Sequence, residues 1–526
     1  MLRYFLSPVV LARNRLFPVK KLSLLKEKTV RLPSEFIQGK EEMNKHSLLL
    51  RNKTKKQKVV ILGAGLSGLA CADEILRKGK NKLEVVILEK NSFIGGLAAT
   101  FKKDGFLFDL APHRWFTKNE ELNKWIDELM GKEMIWVKKY TPMYQFGKFY
   151  KYPFEIGDII KKIDPLKMIA MLGTYGWTRI SSRIFPKKIL TMKDAYINRF
   201  GYALYKWFCE EFNNKLWGED GCEIMSADFV AQRTRDLSMI TIIKNTLGLG
   251  GKIVSLTPRF RFPKLGIGRI SENLYQRIKK NGGLVKTKVS IEKIVKLESG
   301  YQIKTSQGIF GADFLVSSIP VDELIKMAEP KTPRQILQAT SRLHYINQKI
   351  VVLLANKLRL TNFTWVYVHP PKIKFFRFLE TNNWSPAMSP KGKTSLAFEY
   401  PYPKGDDLEK MGDKELIDLT IADFIKYFSP QTKKVDIIKG YVFRVSKAYP
   451  KYDLQYREPL GEIKKFLKED YPNLQLIGRN GMFRYNNMDH AVFTGQLAAR
   501  NILAGKMIYN IENVNEEAEY LEEKEV

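Results

Sequence analysis

Cysteine is scarce in this 526-residue chain: Cys71, Cys209 and Cys222 are its three cysteines. None forms a Cys-x-x-Cys pair, which excludes a disulfide-stapled scaffold and a zinc ribbon. Cys209 and Cys222 read as structural. Long hydrophobic runs are also missing. The most apolar stretch, 360–371, is shorter than the roughly 18 residues of a spanning helix and carries two prolines. Integral membrane insertion is therefore not expected. Histidines number five, and His46, His344 and His369 share no ligand spacing with cysteines or acids, so no metal is expected. No Gly-x-Ser-x-Gly elbow, Walker loop or RNA-binding aromatic motif occurs, which leaves hydrolase, NTPase and nucleic-acid roles without a carrier. Acidic residues are in deficit, 56 against 88 Lys plus Arg, a formal charge of +32.

What is present is ordinary globular composition, 44% hydrophobic and 27% charged. Residues 1–58 hold 15 basic and 4 acidic side chains (15 − 4 = +11), and the first 26 have no acid. That segment resembles a mitochondrial-type presequence or an amphipathic segment on a membrane surface; the alternative is a start at Met43. The basic field attracts phosphorylated substrates or acidic lipids. The chain divides into a basic extension (1–57), a first cofactor-domain part (58–130), a helix-rich cap (131–254), a second cofactor part (255–330), a substrate-binding region (331–469), a third cofactor part (470–508) and an acidic, solvated tail (509–526). Strands alternating with helices predict an α/β fold with a parallel sheet.

The chemistry begins at "KVVILGAGLSGLACADEIL". An apolar strand runs into Gly63, Gly65 and Gly68 in the spacing GxGxxG. These glycines permit a tight turn, close approach of a pyrophosphate and close helix–strand packing, in that order. The following helix, with Leu66 and Ser67 in its first turn, points its amides at phosphate. A second strand ends at Glu89 and Lys90, where a carboxylate accepts ribose hydroxyls. Near the other end, "IGRNGMFRYNNMDHAVFTGQLAARNIL" carries a short strand into Gly478 and Arg479, and then a helix whose N-terminus holds Asn487, Met488 and Asp489. Such an end stabilises negative charge. Arg479 suits bidentate phosphate binding or, alternatively, a surface ion pair.

The pair Gly95–Gly96 after Glu89, followed by Leu97, resembles the second glycine pair of glutathione-reductase-type FAD proteins in the amine oxidase and protoporphyrinogen oxidase superfamily. "APHRWF", "FNNKLWG", "AYPKYD" and "GRNGMFRYNNMD" are similar to segments of UDP-galactopyranose mutases. Phe212, Phe483 and Thr117 depart from that pattern. The resemblance implies a Rossmann-type FAD domain with an inserted α+β substrate domain, and FAD contacts at Val289 as well as the residues above. It also implies site roles for His113, Trp217, Arg479 and Tyr485. Trp115, Phe116 and Phe483 are further candidates for a stacking pocket, with an ordinary core place as the alternative. FAD is expected to be noncovalent, since the C-terminal segment has no cysteine for a thioether. The expected function is flavin-dependent oxidation of a small or amphipathic substrate. Isomerisation of a nucleotide sugar by reduced flavin is the alternative, and action on a lipophilic substrate at a membrane the third reading. The expected location is the cytoplasm, with mitochondria or a membrane periphery as alternatives.

Overall fold

A computed structural model describes residues 56–80, 82–152, 158, 161–230, 259–329 and 332–515. The extension 1–55 and the acid-rich end from 516 lie outside the described residues.

Five parallel strands form the cofactor sheet in the order Leu474–Leu476, Phe314–Ser317, Gln57–Leu62, Leu83–Leu88 and Leu284–Lys286. The run Val59–Leu62 is apolar at every position because both faces of a parallel sheet are covered. Val60 and Leu62 enter one core while Val59 and Ile61 enter the other. Each such side chain contributes ~1.5–3 kcal/mol by leaving water. Strand order reverses across Gln57–Leu62, so the crevice for a ligand opens at the carboxyl end of that strand.

A seven-stranded sheet stands apart in the order Ile437–Lys451, His344–Ala355, Thr394–Tyr402, Arg377–Glu380, Trp365–Val368, Met143–Gln145 and Lys148–Tyr150. Its pairs are antiparallel except Trp365–Val368 with Met143–Gln145. One face packs Phe375, Phe378, Phe398 and Tyr400 into a separate core under the helix Asp413–Tyr427. The other face carries polar residues described below.

Two details add to the expected division. The helix-rich region 131–254 also holds strands, Met134–Lys138, Met143–Gln145 and Lys148–Tyr150, and the last two complete the seven-stranded sheet. Each is too short to declare a period of two. The start of the expected solvated tail is anchored, with Ile511 and Val514 buried and Arg484 donating to the carbonyls of Glu512 and Val514.

The cofactor-domain parts are tied by a buried carboxyl. Asp109 accepts from Thr100 Oγ1 at 2.5 Å and from the Ile267 amide at 3.0 Å, while Gly268 N donates to Thr100 Oγ1 at 2.7 Å. Burial pushes the Asp109 carboxyl up to about 7. The folded protein thus keeps a proton that the unfolded chain has lost above about pH 4. The associated stability is present at low pH and is lost as pH rises through about 7. Urea unfolding at a series of pH values should show that slope in the wild type and not in Asp109→Asn.

Candidate active site

Gly63, at φ +97°, turns the chain at the end of the first strand; its amide donates to Leu88 O at 2.8 Å. A Cβ on Gly68 would stand 2.1 Å from the Gly63 carbonyl, so the helix Leu66–Lys78 can begin there only with glycine at that position. Gly65 differs: nothing lies within 4 Å of where its Cβ would stand. This is the bare backbone that a pyrophosphate needs. Gly95, at φ +96°, donates its amide to Ala64 O at 2.8 Å, and Gly96 lies against Gly65. Leu97 follows in the short turn Gly96–Ala98.

Glu89 is buried at the end of its strand. It accepts from the Ala64 amide and from Asn91 N and Nδ2, each at 2.8 Å. These donors orient the carboxylate beside the glycine turn while leaving lone pairs for a ribose. Val289 donates its amide to Glu89 O at 2.9 Å, which brings that backbone to the same end of the sheet. Lys90 is not brought to the turn: its ammonium is exposed and lies 3.7 Å from Glu323.

At the far end, the closing helix Met488–Ala504 crosses Leu66–Lys78 so closely that a Cβ on Gly495 would meet Ser67 O at 2.2 Å. Gly478 sits equally tight on Ser67 Oγ. Asn487 caps the closing helix in a reciprocal box with His490, whose ring accepts from Asn487 N at 3.2 Å. The amides of Met488 and Asp489 lie outside that box at the positive end of the helix. Asp489 is buried there with Oδ2 unpartnered, and burial raises its carboxyl above the ordinary range.

Four of the expected site residues converge. Tyr485 and Tyr449 stack at 5.3 Å and 6°, and Trp217 and Phe229 close the group edge-on. The Arg479 guanidinium lies 5.3 and 5.1 Å from the two tyrosine rings. Its bidentate edge is already used: Nε and Nη2 donate to Asn486 O at 3.0 and 2.8 Å, and Nη1 to Ala448 O at 3.1 Å. The phosphate-gripping role expected for Arg479 is therefore not the geometry present, and neither is a surface ion pair. His113 keeps Nδ1 buried and unpartnered. Burial, then Arg479 and Arg377, drive its pKa down to about 3, so the imidazole is neutral at physiological pH. Trp115 and Phe483 are core residues instead, against Trp125 and among Tyr345, Tyr452 and Tyr456 respectively. Phe116 lies under the Arg114 guanidinium.

Sequence reasoning missed the polar face of the seven-stranded sheet. Arg377 pairs with Glu399 through two contacts of 2.6 and 2.8 Å, and Gln348 donates to Glu399 at 2.6 Å. Glu399 is fully buried. It also missed Lys215 as a charged element. The Lys215 ammonium donates to Val368 O at 2.9 Å and Phe375 O at 3.5 Å, and burial lowers it to about 7. The signal available was a single charged or amide residue inside an apolar strand, as in "FFRFLE", "LAFEYP" and "INQKIV".

A glycine turn at a sheet switch point, an acidic strand end beside it and a helix N-terminus across the crevice define a dinucleotide-binding flavoprotein. The model for flavin-containing amine oxidoreductases matches residues 195–503, and that for NAD(P)-binding Rossmann-like domains matches 61–129. The chain belongs to the flavin-containing amine oxidoreductase family. Coproporphyrinogen III oxidase of Staphylococcus aureus is 21% identical over 488 residues, covering 85% of this chain and 99% of that protein. Among solved structures, a reduced UDP-galactopyranose mutase superposes with TM-score 0.75 at 20% identity, covering 87% of this chain and 99% of the other. A protein described as a putative protoporphyrinogen oxidase from Exiguobacterium gives 0.67 at 17%, covering 86% and 100%. The protein is an FAD-dependent oxidoreductase.

The residues fit FAD. The open backbone at Gly65 would take the pyrophosphate, Glu89 the adenosine ribose, and the Met488 and Asp489 amides the flavin end. Bound FAD supplies a two-electron acceptor. Among the described residues, no helix is long and apolar enough to cross a membrane.

Proposed function

We propose that this enzyme oxidises an anionic, ring-bearing substrate of the porphyrinogen type, a macrocycle with carboxylate arms. The observation that carries this reading is the way the Arg479 cation is held. It is fixed by main-chain carbonyls, with no carboxylate in ion-pair contact among the described residues. It lies over the rings of Tyr449 and Tyr485, with Trp217 edge-on to both, and such rings suit a flat partner. Arg377 adds a second cation, already balanced by Glu399. Neutral His113 accepts or donates a hydrogen bond without adding charge. The near-full-length similarity to a coproporphyrinogen III oxidase supports the same substrate class.

Anaerobic titration of the holoprotein with coproporphyrinogen III should bleach the flavin absorbance as each flavin takes two electrons, and porphyrin fluorescence should grow once oxygen is admitted to reoxidise the flavin, because the full six-electron oxidation needs three such turnovers. Arg479→Met should keep full flavin content yet need at least about tenfold more substrate, the loss of the positive charge held over the two tyrosine rings. Bleaching by an uncharged amine and not by the porphyrinogen would overturn the reading.

A nucleotide sugar is the second reading. The segments similar to the mutases meet in space at Trp217, Tyr449, Arg479 and Tyr485. Binding of a UDP-sugar by the reduced protein alone would favour it.

A further inference from the structure

The helix Pro165–Ile184 packs on its neighbours through one face only. Met171 and Tyr175 are buried, and Gly201 approaches the Tyr175 backbone. The opposite face is apolar and open to water. Leu166 is 76% exposed, Ile169 66%, Trp177 70% and Ile180 54%. Ile184 and Phe185 extend the stripe at 61% and 68%. Gly173 and Gly176 lie on the same side, with nothing within 4 Å of where their Cβ atoms would stand. Exposed apolar side chains scattered singly need no account, but a contiguous face of this kind marks a docking surface.

The charges around it say what docks. Lys161 and Lys167 flank one end and Arg183, Lys187 and Lys188 the other, while Asp164 is the lone acid of residues 161–190 and is spent capping the helix. Lys167 lies 3.7 Å over the ring of Phe146, itself partly exposed. A second copy would be a poor partner, because a two-fold contact brings one basic end onto another whichever way the helices run. An acidic plane with an apolar layer beneath it matches both features.

We propose that Pro165–Ile184 with residues 185–190 is a docking face for the surface of an anionic lipid bilayer. The helix lies in the plane of the interface, its Leu, Ile, Trp and Phe side chains among the acyl chains and its cations at the headgroups. The inference holds whatever the enzyme oxidises.

Flotation of the full-length holoprotein tests it. Vesicles of phosphatidylcholine with about a third phosphatidylglycerol should carry the protein up the gradient, and pure phosphatidylcholine should carry far less. The variant Ile169→Glu/Trp177→Glu/Ile180→Glu should lower partition at least about tenfold with flavin content and melting temperature unchanged, since all three side chains stand in water. Wild-type protein that stays at the bottom, or a triple variant that floats equally, overturns the proposal. So does a wild-type dimer that the triple variant splits. Should the triple variant misfold, brominated lipid provides the readout. Tryptophan quenching that falls in Trp177→Phe supports the face, and equal quenching in both proteins refutes it.

Discussion

Gly65→Val should give a folded protein with no flavin. The position has extended backbone at φ −70° and ψ 172°, which valine adopts freely, and the space beside it is open in the protein itself. The added methyl groups meet nothing until a pyrophosphate approaches, so the cost falls on the cofactor alone. FAD affinity should fall by a factor of about 100 or more, equivalent to some ~2.7 kcal/mol. The melting temperature of the flavin-free form should not move. Gly68→Val and Gly495→Val should behave in the opposite way, losing the fold together with the flavin. Their Cβ atoms would press on carbonyl oxygens at 2.1 and 2.2 Å. Purification followed by an absorbance spectrum and a thermal melt distinguishes the three. Stoichiometric FAD on Gly65→Val would mean that the pyrophosphate lies elsewhere.

The second large effect is expected at Glu399. It neutralises Arg377 inside the seven-stranded sheet and also takes the Gln348 amide, so Glu399→Leu strands one buried cation and one buried donor. Breaking such a pair from one side costs ~3–5 kcal/mol, whereas replacing both partners by apolar residues of similar volume is close to neutral. Chemical denaturation of Glu399→Leu should show that loss, and Arg377→Met/Glu399→Leu should recover most of it. The double variant also removes one of the two cations acting on His113, so the imidazole pKa should rise from its low value of about 3. If the double variant is no more stable than the single, the pair is not what Glu399 serves.

The cofactor end was legible because its instructions are local. An apolar run, three glycines at fixed spacing and an acid one strand later need only neighbouring residues to make sense, and the structure assembles them within one turn. The Rossmann-type α/β fold follows from that stretch, and the FAD class from the resemblance of the pair Gly95–Gly96 after it to glutathione-reductase-type FAD proteins. The seven-stranded sheet was less legible because register is a long-range property. Gln348, Arg377 and Glu399 lie on three strands, and only the pairings Ile350↔Glu399 and Arg377↔Glu399 bring them together. Arg479 shows the limit from the other side. Its residue type suited a phosphate, but the turn 484–486 folds back and the Asn486 carbonyl takes the guanidinium edge at 3.0 and 2.8 Å. Trp115 and Phe483 carried the same aromatic signal as Tyr485 and Trp217, and burial does not separate them; only the neighbours do, since Trp217 and Tyr485 lie against Tyr449 while Trp115 meets Trp125 and Phe483 meets Tyr345.

The parallel sheet takes its outer strand, Leu474–Leu476, and the helix lying against Leu66–Lys78 from the last-made part of the described fold. On the ribosome, the glycine turn therefore emerges long before the element that must lie across it. A product stopped short of Met488 would keep the glycine turn and lack the helix that packs across Leu66–Lys78, and should accumulate as apoprotein for proteases to clear.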